Sequence, residues 1–202
     1  MVIFLVYFKN IASGNIYLKT LLFSEMKRLL FTLLITTIAN AGFSQEKKGI
    51  THASITYQIK NMGINTQGSI GGLQADVQFN PGDLNSSSLS ATIDVNTINT
   101  DNSSRDEHLK SADFFDVARY PKISLKSLSF KHKSGSNYSG KFNLTIKNQT
   151  KTVEIPFSYT DSGTTIAIKG IFKLNRIDYG VGTESLILAN DVTINFDAEA
   201  AK

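Results

Sequence analysis

The chain has 202 residues, 41% of them hydrophobic and 19% charged, with 21 basic against 17 acidic residues, a net charge of +4 and no cysteine. The missing thiol excludes a disulfide scaffold, a thiolate metal site, a cysteine nucleophile and a lipidated cysteine, so a hydrophobic core must supply the stability. Residues 1–44 hold four of the bases and one of the acids, which leaves 17 against 16, or +1, for the remainder; a nearly neutral domain lacks the basic stripe that nucleic acid requires.

Met26-Lys27-Arg28 followed by the apolar run Leu29 to Ala39 reads as an export signal, because eleven apolar residues are too few to span a bilayer. Ala39-Asn40-Ala41 and Gly42-Phe43-Ser44 offer small residues for cleavage, so residues 26–44 are read as a signal peptide. Residues 1–25 are interrupted by Lys9, Asn10 and Lys19 and are read as sequence upstream of the true start at Met26. Residues 45–202 then form one domain, large enough to bury its own core and expected in the periplasm or outside the cell.

From His52 the apolar positions recur every second residue, the period of a strand with one face covered. Ile55, Tyr57 and Ile59 mark the first strand. A second run spans Gly68 to Phe79, with Ala75, Val77 and Phe79 in phase and a bulge expected at Gly71-Gly72. Leu89, Ala91, Ile93 and Val95 define the third. Ile123 and Leu125, then Leu128 and Phe130, change phase and predict a bulge or bend in the fourth. Phe142, Leu144 and Ile146 mark a fifth, Val153, Ile155, Phe157 and Tyr159 a sixth, Ile166, Ile168, Phe172 and Leu174 a seventh, and Leu186, Leu188, Val192, Ile194 and Phe196 the last.

The pattern predicts an all-β fold: an eight-stranded antiparallel barrel, lipocalin-like in outline, with a short helix in the 103–121 connection. Eight strands enclose a bore that side chains just fill, or that holds one slender ligand. Pro156 cannot donate to a ladder and should mark a local break.

Ser104 followed by Glu107 has the form of a capping box, predicting a helix over 105–111 with Asp106 and Lys110 able to pair on its surface. Asp106 and His108 resemble an orienting carboxylate and a base, but residues two apart on a helix do not face each other, so a cap over one barrel end is the better reading. His52, His108 and His132 show no ligand spacing, and no metal is expected. No nucleophile elbow, P-loop or dinucleotide glycine pattern occurs. Arg176 and Asp178 share a strand face, as a surface pair or beside a ligand headgroup.

Three stretches, "TIDVNTINTDNSSRDEHLKSADFFDVARYPKISLKS", "GKFNLTIKNQTKTVEIPF" and "NRIDYGVG", resemble the YceI-like family of secreted, polyisoprenoid-binding bacterial proteins. Arg105, Asp106, His108, Leu109, Phe114, Phe115, Tyr120 and Pro121 match its signature, whereas Lys60-Asn61-Met62-Gly63 stands where members often carry a histidine. The resemblance implies a barrel with a polyisoprenoid, isoprenoid quinone or related lipid in its bore and no catalytic residues.

The expected function is therefore a non-enzymatic binding or carrier protein for a long apolar ligand. Its lining is drawn from Tyr57, Phe79, Ile93, Val95, Leu109, Phe114, Phe115, Phe142, Leu144, Phe157, Ile168, Phe172, Leu188, Ile194 and Phe196, with a polar rim of Arg105, Asp106, His108, Arg176 and Asp178. No cofactor is expected other than a bound isoprenoid lipid or quinone; the partner is a lipid or other apolar small molecule, with no nucleic acid and with room for transient membrane contact. Two rival readings stand beside it: an enzyme acting on a lipophilic substrate through His108, Asp106 or Arg176, and a filled barrel that works through its outer face.

Overall fold

Where apolar and polar residues alternate, the computed structural model, which describes residues 49–202, places strands. The readings for residues 1–25 and 26–44 lie outside the described residues. In chain order the strands are β1 (Ile50–Asn61), β2 (Ile64–Ser69), β3 (Gln74–Gln78), β4 (Ser88–Asp94), β5 (Lys122–Ser134), β6 (Asn137–Ile146), β7 (Gln149–Asp161), β8 (Thr165–Asn175) and β9 (Leu188–Ala201). One α-helix, α1 (Ser103–Lys110), lies between β4 and β5.

These strands form one antiparallel sheet in the order β2-β1-β9-β8-β7-β6-β5-β4-β3, so the all-β class holds. Among the described residues the count is nine rather than eight, and no ladder joins the two ends of the series. Met62 and Gly63 adopt positive φ of 51° and 79°, a two-residue hairpin turn that brings Ile64 opposite Asn61 and starts β2 before the expected second run begins. That run then breaks at Ile70–Leu73, where Gly72 takes φ 66° and a side chain would press on the Asp94 Cβ at 2.8 Å.

The residues before this break pair with β1, and those after it pair with β4. The curled sheet is drawn together there by a few isolated bonds: the reciprocal Ser69–Asn99 bridge (2.8 and 2.9 Å), Ile70 N–H to the Ile55 carbonyl (3.0 Å), Asp94 N–H to the Gly71 carbonyl (3.1 Å) and Gly71 N–H to Thr97 Oγ1 (2.7 Å). The glycine pair thus ends one ladder and begins another instead of bulging a continuous strand.

Pro156 marks the other discontinuity. β7 pairs with β6 from Gln149 to Ser158, but with β8 only from Phe157, opposite Gly170, to Asp161. The change of phase in β5 is a register shift between Ser127 and Ser129.

Two clusters stop the ends of the curled sheet. At the end holding the β5–β6 and β7–β8 turns, Phe79 meets Phe130 and Tyr138 edge-on, with centroids 5.2 and 5.0 Å apart. At the opposite end Leu144, Ile146, Tyr179 and Val181 pack with Phe114 and Phe115 from the segment after α1.

The candidate ligand-binding cavity

Between the plugged end and the capped end lies a cavity of about 410 Å³. Period-two alternation puts its wall on one face of each strand. Ile55, Tyr57 and Ile59 come from β1; Ala91 and Ile93 from β4; Phe142, Leu144 and Ile146 from β6; Ile155 and Phe157 from β7; Ile168, Phe172 and Leu174 from β8; Leu188, Val192, Ile194, Phe196 and Ala198 from β9. Leu109, Phe114 and Phe115 reach it from the cap. The bore is not packed solid, as the filled-barrel reading would need.

Two expected lining residues fall elsewhere. Phe79 belongs to the aromatic plug, where its ring also lies 5.6 Å from Phe157 and 4.6 Å from Tyr159. Val95 is buried, but β4 ends at Asp94 and a three-ten turn over Val95–Thr97 takes it out of phase with the wall. Ile70, Leu73 and the small residues Ala75, Ala91 and Ala198 also line the cavity, although the expected lining left them out, Ala75 and Ala91 having been placed in phase on their strands. Preferring bulky in-phase residues hid the alanines, whose small side chains leave the room.

The cap is held by a polar knot around Thr100. Asp106 Oδ1 accepts from the Thr100 N–H (2.9 Å) and hydroxyl (2.6 Å), while Arg105 donates through Nε to the Thr100 hydroxyl oxygen (2.8 Å) and through a terminal nitrogen to its carbonyl (2.6 Å). Asp106 therefore does not pair with Lys110, which reaches Glu107 instead at 3.2 Å. The helix is capped two residues earlier than the capping box predicts: Asn102, not Ser104, accepts from the Arg105 N–H.

Arg105 and His108 line the cavity. The His108 ring packs edge-on against Phe114, with centroids 5.0 Å apart. Asp106 is committed to Thr100, so α1 assembles no carboxylate–histidine pair.

Arg176 also reaches the wall, but neither as a free headgroup ligand nor as the partner of Asp178. It is 4% exposed and donates to the carbonyls of Ala189 (2.9 Å), Val181 (2.9 Å), Thr183 (2.8 Å) and Leu188 (3.3 Å) and to Asn190 Oδ1 (3.3 Å). Burial lowers its pKa from the ordinary arginine range, though the guanidinium remains charged. It fastens the 177–190 loop, while Asp178 sits in the three-ten turn Ile177–Tyr179 and raises the pKa of Tyr179, adding to the larger effect of burial.

The Tyr57 hydroxyl is buried and has no hydrogen-bond partner among the described residues. Burial, with the nearby Asp106 charge adding to it and Arg105 opposing, pushes its pKa up to about 12. Among the described residues no three His, Cys, Asp or Glu side chains come close enough to hold a metal. His132 instead contacts the Gly135 carbonyl at 2.9 Å.

The profile of the YceI-like domain matches residues 49–200, nearly every residue of the sheet and its cap. The chain belongs to the YceI-like family.

YceI-like relatives include a UPF0312 protein of Pectobacterium atrosepticum, 30% identical over 136 residues that cover 64% of this chain and 70% of that one. A second, from Yersinia pestis, is 30% identical over 146 residues, covering 72% and 74% respectively. Among solved structures, BcnA of Burkholderia cenocepacia superposes with a TM-score of 0.70 at 27% identity, covering 73% of this chain and 96% of that one. A polyisoprenoid-binding domain from Saccharophagus degradans, implicated in plant cell wall breakdown, superposes with a TM-score of 0.62 over 76% of this chain and 96% of its own; at 12% identity that likeness concerns the fold alone.

Proposed function

We propose that this YceI-like protein is a non-enzymatic carrier or sequestering protein, periplasmic or secreted, that holds a long-chain apolar ligand such as a polyisoprenoid or isoprenoid quinone along its bore. The observation that carries the reading is the cavity of about 410 Å³, walled by the inward residues of the strands and stopped by an aromatic plug at one end and a helical cap at the other. Its volume falls within the range of about 300–1,000 Å³ usual for small-molecule sites. The polyisoprenoid-binding domain that shares the fold supports the choice of ligand class, and the export pattern at Met26 supports the location.

The energetics favour a tail over a headgroup. Each buried CH₂ contributes about 0.8 kcal/mol, and micromolar affinity requires about 8 kcal/mol net of ordering costs. A few isoprene units supply that without any ion pair. Selectivity then follows tail length and thickness, set by the bore.

Organic-solvent extraction of protein purified from its native host, followed by mass spectrometry, is expected to release a long-chain isoprenoid. Prenols of graded length, offered to the purified protein, should bind more tightly as they lengthen until the bore is full. An extract free of lipid, together with no uptake at any length, overturns the reading.

A further inference from the structure

The capped end presents large apolar side chains to solvent. Met62 is 73% exposed, Ile64 71%, Leu186 107% and Ile187 57%. They sit on two loops joined by a hydrogen bond from Met62 N–H to the Ile187 carbonyl at 2.6 Å. Asn61 and Leu188, which flank the two loops, face each other across β1 and β9 and both line the cavity. The apolar residues therefore form a lip at the mouth of the bore.

We propose that this lip docks on a lipid bilayer. Exposed apolar residues need a partner when they cluster, and two features select a fluid one. Four exposed apolar side chains on two loop tips fall well short of the roughly 20–30 residues that each side of a stable protein interface contributes. The backbone is also prepared for an apolar phase, where an unmet N–H is costly: Met62 N–H is satisfied by Ile187, and the Ile187 and Leu188 N–H groups donate to Ser185 Oγ at 3.2 and 3.3 Å.

Lys60 and Glu184, the ionisable residues two positions before Met62 and Leu186 in the chain, are opposite in charge. Anchoring thus rests on buried side chains rather than on lipid charge, and it persists when salt is raised. Docking rests on the lip alone; its use, to pass a tail between membrane and bore without crossing water, rests on the carrier reading.

The chain contains no tryptophan, so one introduced residue reports alone. In Leu186→Trp, adding vesicles of phosphatidylcholine and phosphatidylglycerol is expected to shift the emission to the blue and to allow quenching by brominated acyl chains. Lys133→Trp, at the opposite end beside the β5–β6 turn, is expected to do neither. Adding Met62→Ser to Leu186→Trp should weaken the partitioning about tenfold, as the loss of one buried apolar side chain implies.

No shift with vesicles overturns the proposal, as does an equal shift in Lys133→Trp. A shift that follows protein concentration without vesicles also overturns it, because the lip then pairs with a second copy. Docking that persists while no prenylated ligand is taken up supports the lip and overturns the carrier reading, so the two fail separately.

Discussion

Tyr57 and Gly68 face each other across β1 and β2, and the tyrosine lies so close over the glycine that a β-carbon at position 68 would stand 2.5 Å from Tyr57 Oη and 2.8 Å from the Asn99 carbonyl oxygen. The phenol can swing aside, but the backbone oxygen cannot. Gly68→Ala should therefore cost about 1–3 kcal/mol, read as a lower midpoint of urea unfolding. Adding Tyr57→Leu should restore only part of it, because the Asn99 contact remains.

Tyr57→Phe should act in the opposite direction. It removes a buried hydroxyl that has no partner, and an unpaired buried polar group costs about 1–3 kcal/mol, so the variant is expected to unfold at or above the native temperature. A gain in stability from deleting a polar group is the signature to look for in thermal melts.

The same residue sets an alkaline limit. Its pKa rises from the ordinary 10.0 to about 12 in the fold, so the folded state holds that proton more tightly than the unfolded chain. This contribution is intact below pH 10 and is lost as pH rises toward 12. Allowing for partial exposure, it amounts to about 1–2 kcal/mol. Melting temperature measured across this window should fall less steeply in Tyr57→Phe, although Tyr159 and Tyr179, also raised by burial, continue to titrate in both.

Arg176→Lys should not be conservative. Lysine cannot reproduce a planar fork that reaches the Ala189, Val181 and Thr183 carbonyls together. A loss of about 3 kcal/mol is expected from carbonyls left unmet in a buried site. Because Val181 and Leu188 belong to the cavity wall, ligand uptake should fall with stability, measured by denaturant titration and binding on the same sample.

Ala91→Phe separates packing from function. Ala91 lines the bore, and a ring placed there takes up ligand space while adding apolar contacts. The variant is expected to stay folded by circular dichroism and to lose uptake of long prenols before short ones.

Phe115→Ala should open the mouth. Phe115 lines the cavity and packs in the cluster that stops the capped end, so its trimming should raise the rate of ligand exit more than it weakens equilibrium binding. Stopped-flow exchange against vesicles distinguishes the two.

Much of the wall was legible because period two is a local property. Phe142, Leu144, Ile194 and Phe196 alternate with polar neighbours, and a sheet with one covered face has only one way to place them. The same rule failed at the strand ends. Val95 continues the alternation of β4 on paper, but the chain has already turned at Asp94, and Phe79 lies just past β3, in the plug. Alternation says which face a residue takes only while the strand lasts.

The cap shows the other limit. The helix itself was legible from its polar opening residues, but Asn102 rather than Ser104 caps it, and Asp106 turns to Thr100 rather than to Lys110. Several side chains compete for the same few amides and hydroxyls, and local spacing does not rank them.

By itself the sequence determined the strand-rich class, the inward faces, the helix in the long connection and the apolar character of the bore, all of which follow from the local order of apolar and polar residues. Only the tertiary structure decided that one run splits between β1 and β4 at Gly72, that Arg176 is a clasp rather than a headgroup ligand, and that Met62 and Leu186 share one lip. These depend on contacts between residues far apart in the chain, where geometry and competition among partners select one arrangement from many that the same local pattern allows.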